Sequence, residues 1–198
     1  MGDALLTRAS LLARLGDRSD RAAWRQFVEL YGGLVYGFAR QRGLQDADAA
    51  DLTQEVFLAV ARAMDRWRYD PIRGSFRGWL YTITRNKVGE FRERRRSQPL
   101  GSGDTDAHRR LADEPDRCSD TGEDWENDFQ RQLFHLAAAR IRDSFAPTTW
   151  MAFWRTAVDG QSGAEVAREL GVSVGAVYVA RSRVLARLTE QVRQMRTE

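Results

Sequence analysis

Few residues in this chain could do covalent or metal chemistry, and they are poorly placed for it. Cys118 is the one cysteine, and His108 and His135 are the two histidines. No zinc-ligand spacing and no internal disulfide framework can be assembled from these. Asp48, Asp51 and Glu55 lie on one predicted helix face, but carboxylates alternating along a helix rarely converge on one ion. No glycine-rich phosphate loop is found, nor any nucleophile, base and acid that form a set. An enzyme therefore has little behind it, and no metal or cofactor is expected. What remains is non-covalent chemistry, concentrated in Trp67 to Arg96. That stretch holds eight Arg and one Lys against three acids, Asp70, Glu90 and Glu93, with two Trp, two Tyr and two Phe interleaved. Bases stack on such rings and phosphates pair with Arg, as a groove for unpaired nucleic acid requires. A solvated basic helix over an ordinary aromatic core has the same composition, since charge runs usually face water.

The elements that must carry this stretch belong to a soluble globular protein of one or two small domains. The chain has 198 residues, 42% of them hydrophobic and 30% charged. No apolar run approaches a membrane span, and MGDALLTRAS lacks the order of a signal peptide. A cytoplasmic protein is expected. The formal net charge of +3 is unevenly spread, with excesses of +6 over residues 1–99, −7 over 100–128 and +4 over 129–198. Two basic blocks thus flank an acidic middle.

Helical periodicity dominates both blocks. Ser10 is a candidate N-cap for a short helix with Leu11, Leu12 and Leu15, and Asp20 for the next. There Trp24, Phe27, Val28, Tyr31, Leu34, Val35 and Phe38 recur at the steps one buried stripe requires. Gly32 and Gly33 inside this helix point to close packing or a kink. A third helix, from about Ala47 to Trp67, turns Leu52, Val56, Val60 and Ala63 inward. Asp48, Asp51, Gln54 and Glu55 lie on its other side, where they either compensate the helix dipole or dock a basic partner. After a turn around Asp70-Pro71 and Gly74, a fourth helix opens near Phe76. Leu80, Ile83 and Phe91 share the side of Phe76 with Trp79 at the edge, and Arg77, Tyr81, Arg85, Arg92 and Arg96 fall opposite.

From Gln98 to about Asp128 periodicity fails, and Gly, Ser, Asp and Pro accumulate. The segment reads as a flexible acidic linker, or as a negative strand able to compete with nucleic acid for a basic channel. Helices are expected over Phe129–Phe145 and Thr148–Val158, the second bearing Trp150, Phe153 and Trp154, assigned mainly to the core. Ser162 to Glu165 fits a capping box, Gly171 an αL stop, and Ser173 a second cap before a long helix carrying Val177, Val184, Leu185, Leu188 and Val192. Short helix, glycine turn and longer helix make a helix-turn-helix, a pattern that an antiparallel helical hairpin in a core shares. Its second helix nominates Ser173, Ala176, Tyr178, Val179, Ser182 and Arg183 for the major groove, with Arg181 nearer the buried side.

ADLTQEVF (50–57), GSFRGWLYTITRN (74–86), RERRR (92–96) and GQSGAEVARELGVSVGAVYVARSRVLARL (160–188) stand in an order that resembles an extracytoplasmic-function sigma factor, the smallest sigma-70-family subunit of bacterial RNA polymerase. The resemblance covers nearly the whole chain outside the linker. It implies an all-α fold of two small helical domains: 1–97 (region 2), a linker over 98–128, and 129–198 (region 4, the helix-turn-helix). It makes Asp51, Gln54 and Glu55 candidate contacts to the polymerase core. It assigns Trp67, Arg77, Trp79, Tyr81, Arg85, Asn86 and Lys87 to the opened minus-ten element, and the helix-turn-helix to the minus-thirty-five element. The implied partners are the β and β′ subunits of core RNA polymerase and promoter DNA, with an anti-sigma factor as a candidate regulator. Ala180 stands where many relatives carry a basic residue, which implies weaker phosphate contact here. The competing expectation is a free-standing helix-turn-helix regulator that binds duplex DNA as a dimer.

Overall fold

The computed structural model describes residues 9–64, 75–97 and 122–197, and among them every regular element is helical. The chain divides into two compact units, Met1–Gln132 and Leu133–Glu198. The expected turn around Asp70-Pro71 and most of the expected linker lie outside the described residues.

In the first unit, α1 (Ala9–Leu15) buries Leu11, Leu12 and Leu15. Ser10 lies inside this helix and not at its cap. Asp20 does cap α2 (Arg21–Gln41): its carboxylate accepts from the Ala23 N–H at 2.9 Å, satisfying one of the donors that a helix start leaves unpaired. The helix runs unbroken through Gly32 and Gly33 and ends at Gln41, with Arg42 as C-cap and Gly43 just beyond it at a φ of 82°, which suits glycine. Close packing explains Gly33, because a Cβ there would meet the Gln132 side chain at 2.5–2.7 Å. Of the expected stripe, Phe27, Tyr31, Leu34, Val35 and Phe38 are buried, whereas Val28 is 46% exposed.

α3 (Asp46–Met64) buries Ala49, Leu52, Val56, Val60 and Met64, and the expected helix end near Trp67 lies outside the described residues. α4 (Phe76–Ser97) starts where Ser75 Oγ accepts the Gly78 N–H at 3.1 Å. Its inner stripe is Phe76, Leu80, Thr84 and Val88, at strict four-residue steps. Ile83 and Phe91, expected inside, are half-buried. Thr84 is tolerated there because its hydroxyl donates to the Leu80 carbonyl at 2.8 Å. Phe27 joins α2 to its neighbours through Phe57 (5.3 Å between ring centroids) and Phe76 (6.0 Å), spacings typical of edge-to-face pairs.

α5 (Gly122–Ile141) begins inside the span expected to be linker. Trp125 and Phe129, four residues apart, give this acid-rich segment one apolar edge. Both are buried in the first unit, with Phe129 stacked on Tyr31 at 5.5 Å and 17° between planes.

The second unit contains the rest of α5, a 3₁₀ turn (Arg142–Ser144), α6 (Pro147–Ala157), α7 (Gly163–Leu170) and α8 (Val174–Thr197). Pro147 at the start of α6 places a residue without an N–H where none is needed. Ala152, Val166, Ala167, Val177 and Ala180 form a core flanked by Leu170 and Val172.

Candidate nucleic-acid and polymerase interfaces

The acidic face of α3 separates into engaged and outward-facing residues. Asp48 pairs with Arg95 at 2.8 Å. Glu55 takes Arg94 in a two-pronged grip, Nη2 reaching Oε2 at 3.0 Å and Oε1 at 3.2 Å, and this lowers its pKa. Asp51 and Gln54 are exposed, and Leu58, one turn on, is 56% exposed. The part of this face available to a partner is therefore centred on Asp51, Gln54 and Leu58. Leu58 was missed in the sequence, although its spacing from Asp51 and Gln54 places it on the same face.

Along α4 the candidate DNA residues fall into three settings. Arg85 and Asn86 are exposed, Trp79 is half-buried against Phe76 at 5.4 Å, and Trp79 and Asn86, seven residues apart, share a face to within about 20°. Lys87 turns toward α3, paired with Glu90 at 2.5 Å and lying 4.0 Å from Glu55. Tyr81 is half-buried between Phe38 (5.8 Å) and Trp125 (5.7 Å), and the Arg85 guanidinium lies 5.9 Å from its ring. Arg77 is only 5% exposed: its Nε donates to Glu126 Oε2 at 2.9 Å, and its guanidinium sits 4.8 Å from the Phe129 ring centre. Angular position alone set Arg77 opposite the core, and what covers it is α5, 49 residues on. Trp67 lies outside the described residues.

The helix-turn-helix forms from local signals. Ser162 Oγ accepts the Glu165 N–H while the Glu165 carboxylate accepts the Ser162 N–H, a reciprocal capping box. The Ser162 hydroxyl also donates to the Glu165 carboxylate at 2.8 Å, and this bond first, with the Ser162 N–H next, lowers the Glu165 pKa. Gly171 takes φ 65° and ψ 33°, and Ser173 Oγ accepts the Ala176 N–H at 3.1 Å to start α8. Ser173, Ala176, Tyr178, Val179, Ser182 and Arg183 are all exposed, Tyr178 at 57% and Val179 at 50%. Two apolar side chains so open at the start of a helix suit contact with base edges and thymine methyls. Tyr178 leans on Gly163, where an added Cβ would lie 3.4 Å from its ring. Three details differ from expectation. Arg181 is exposed, Leu185 is 38% exposed, and Ala180 faces the core, so a long cation at 180 could not simply project to a phosphate.

Trp150 and Trp154 are half-buried beside Phe153, which is fully buried, their rings stacked at 5.8 Å. No described helix is long and apolar enough to cross a membrane.

Two helical units, one with a basic aromatic helix beside an acidic face and one with a helix-turn-helix whose second helix is open, have the features of a DNA-binding protein. Comparison with known proteins gives the family. The model of sigma-70 region 2 matches residues 27–98 and that of sigma-70 region 4 matches residues 147–188. The chain belongs to the sigma-70 family and is a sigma factor of the extracytoplasmic-function group. It is 29% identical over 185 residues to the ECF RNA polymerase sigma factor SigE of Mycolicibacterium smegmatis, covering 90% of this chain and 63% of that protein. It is 28% identical to the RNA polymerase sigma factor NccH of Alcaligenes xylosoxydans xylosoxydans and 29% identical to CnrH of Cupriavidus metallidurans, each match covering 90% of this chain and 91% of the relative. A solved structure of CnrH in complex with the cytosolic domain of CnrY aligns with a TM-score of 0.36 and 24% identity, over 93% of this chain and 96% of that one.

Proposed function

We propose that this sigma factor acts in the cytoplasm, docking on core RNA polymerase through the Asp51–Gln54–Leu58 face and Glu55. It holds the unpaired minus-ten strand on Trp67, Trp79, Tyr81, Arg77, Arg85, Asn86 and Lys87. Ser173, Ala176, Tyr178, Val179, Ser182 and Arg183 read the minus-thirty-five element. The observation that carries the reading is the pairing of regions 2 and 4 in one chain, with the nominated recognition residues of α8 all exposed. The physics requires the partner. Extracting a base costs a few kcal/mol and stacking on a ring returns about 1–3 kcal/mol per base. A protein of this size gains promoter opening only with further contacts from polymerase, and two weak DNA modules on one chain gain from effective concentration. An anti-sigma protein remains a candidate partner for the face that docks core.

Purified chain added to core polymerase should start transcription at a defined promoter, and Asp51→Arg should weaken core binding. Trp79→Ala or Asn86→Ala should impair promoter opening, read by permanganate footprinting, more than core binding. A chain that binds duplex DNA tightly as a dimer, and equally with or without core, would overturn the assignment.

A further inference from the structure

The face of α4 that carries Arg77 and Tyr81 is already covered, and what covers it has the chemistry of a nucleic-acid strand. Glu126 puts a carboxylate 2.9 Å from the Arg77 guanidinium, where a phosphate oxygen would pair. Trp125 sets its indole 5.7 Å from Tyr81 at 57° between planes, which occupies the space beside the ring that a base would need, and is 3% exposed. Phe129 lies under the Arg77 guanidinium at 4.8 Å and stacks on Tyr31. Residues 122–132 carry Glu123, Asp124, Glu126 and Asp128 against a single Arg131. Asp128 is tied to α2, accepting from Gln41 Nε2 at 3.1 Å. A helix recruited only to complete the core needs Trp125 and Phe129; it needs neither four carboxylates in eleven residues nor one of them aimed at Arg77.

We infer that residues 122–132 of α5 are a built-in competitor of single-stranded DNA, seated on the Arg77–Tyr81 face and displaced when that face takes a strand. This rests on the assignment of Arg77 and Tyr81 to the minus-ten strand. The seat is made to be left. The Trp125 Nε1–H is buried with no protein acceptor among the described residues, so the covered state carries the cost of an unpaired donor. The Arg77–Glu126 pair is open to water on one side, since the Glu126 side chain is 39% exposed. Arg85 and Asn86 stay exposed farther along α4, so an incoming strand can gain a first hold before the competitor leaves. Free protein would then be kept off stray single strands, and the face would open only where the polymerase supplies additional contacts.

The test uses the full chain and a fluorescein-labelled oligo(dT) 20-mer at low salt, read by anisotropy, with hydrogen exchange of residues 122–132 in parallel. Trp125→Ala, which changes no charge, and Glu126→Gln should each lose protection in 122–132 and bind the oligonucleotide about ten-fold more tightly, equivalent to about 1.4 kcal/mol. Glu123→Gln removes the same charge at an exposed position and should leave affinity within about two-fold. The inference is overturned if either of the first two variants loosens the helix without tightening binding, if neither loosens it, or if Glu123→Gln tightens binding as much as Glu126→Gln. Transcription with core polymerase separates this from the functional reading. Promoter opening with no change in oligonucleotide affinity removes the competitor alone. Tighter oligonucleotide binding with no transcription removes the sigma assignment of these residues and leaves the competition.

Discussion

Asp20 does two jobs at one helix start. One oxygen caps α2 through Ala23, and the carboxylate also takes Arg14 in two bonds of 2.8 and 3.1 Å. The Arg14 guanidinium first, and the Ala23 N–H next, hold its pKa at about 2, below the ordinary 3.8. A depressed carboxylate pKa means that the folded state binds this proton less readily than the unfolded chain. Its contribution to stability is complete above the unfolded value and is lost as pH falls through about 4 toward 2. Asn keeps the cap but not the ion pair. The Asp20→Asn variant should therefore melt a few degrees below the parent at pH 7 and converge with it near pH 2, as thermal unfolding across pH will show. A constant gap across that range would mean that the pair contributes nothing.

Among the elements, those built from near neighbours could be read in advance and those built from distant ones could not. The Asp20 cap, the Ser162–Glu165 box and the Gly171 stop each depend on residues within three or four positions, so their types and spacing carry the whole signal. The inner stripe of α4 shifted from Ile83 and Phe91 to Thr84 and Val88 because a hydroxyl that bonds back to Leu80 can be buried like an apolar group. Arg77 and the start of α5 were illegible for a shared reason. Four acids in eleven residues look like linker, and the one apolar edge of Trp125 and Phe129 has meaning only against Phe38, Tyr81 and Tyr31, far away in sequence. The exposure of the nominated α8 residues was legible because their places on the helix follow from the turn that precedes them. That turn can be tested directly. Gly171 has positive φ and nothing within 4 Å of an added Cβ, so Gly171→Ala meets backbone strain and no clash. It should destabilise the second unit by about 1 kcal/mol and leave the first unit's hydrogen exchange unchanged, with Gly171→Asn costing less. Equal stability of the Ala variant would show that the turn relaxes to another conformation.

At the scale of the whole molecule the chain divides into two compact units, the first holding the match to sigma-70 region 2 and the second the match to region 4. The functional reading puts core docking on α3 of the first unit and minus-thirty-five contact on α8 of the second, and the two sites have no residue in common. Perturbations at sites that share no partners add in free energy, usually within about 0.5 kcal/mol. On the proposed reading Asp51→Arg should lower core affinity, because it would place a cation where a basic partner is proposed to dock. On the same reading Arg183→Ala should remove one phosphate or guanine contact, at a cost of about 1–3 kcal/mol for a base contact or about one unit of salt slope for a phosphate contact. In a promoter-complex assay at subsaturating sigma factor, the double variant should lose the product of the two single-variant factors. Its salt dependence should match that of Arg183→Ala alone if core binding is measured separately and divided out. A double variant no worse than the weaker single one would mean that both residues feed one limiting step. The two units would then act as a single reader, and the division of labour between α3 and α8 would have to be abandoned.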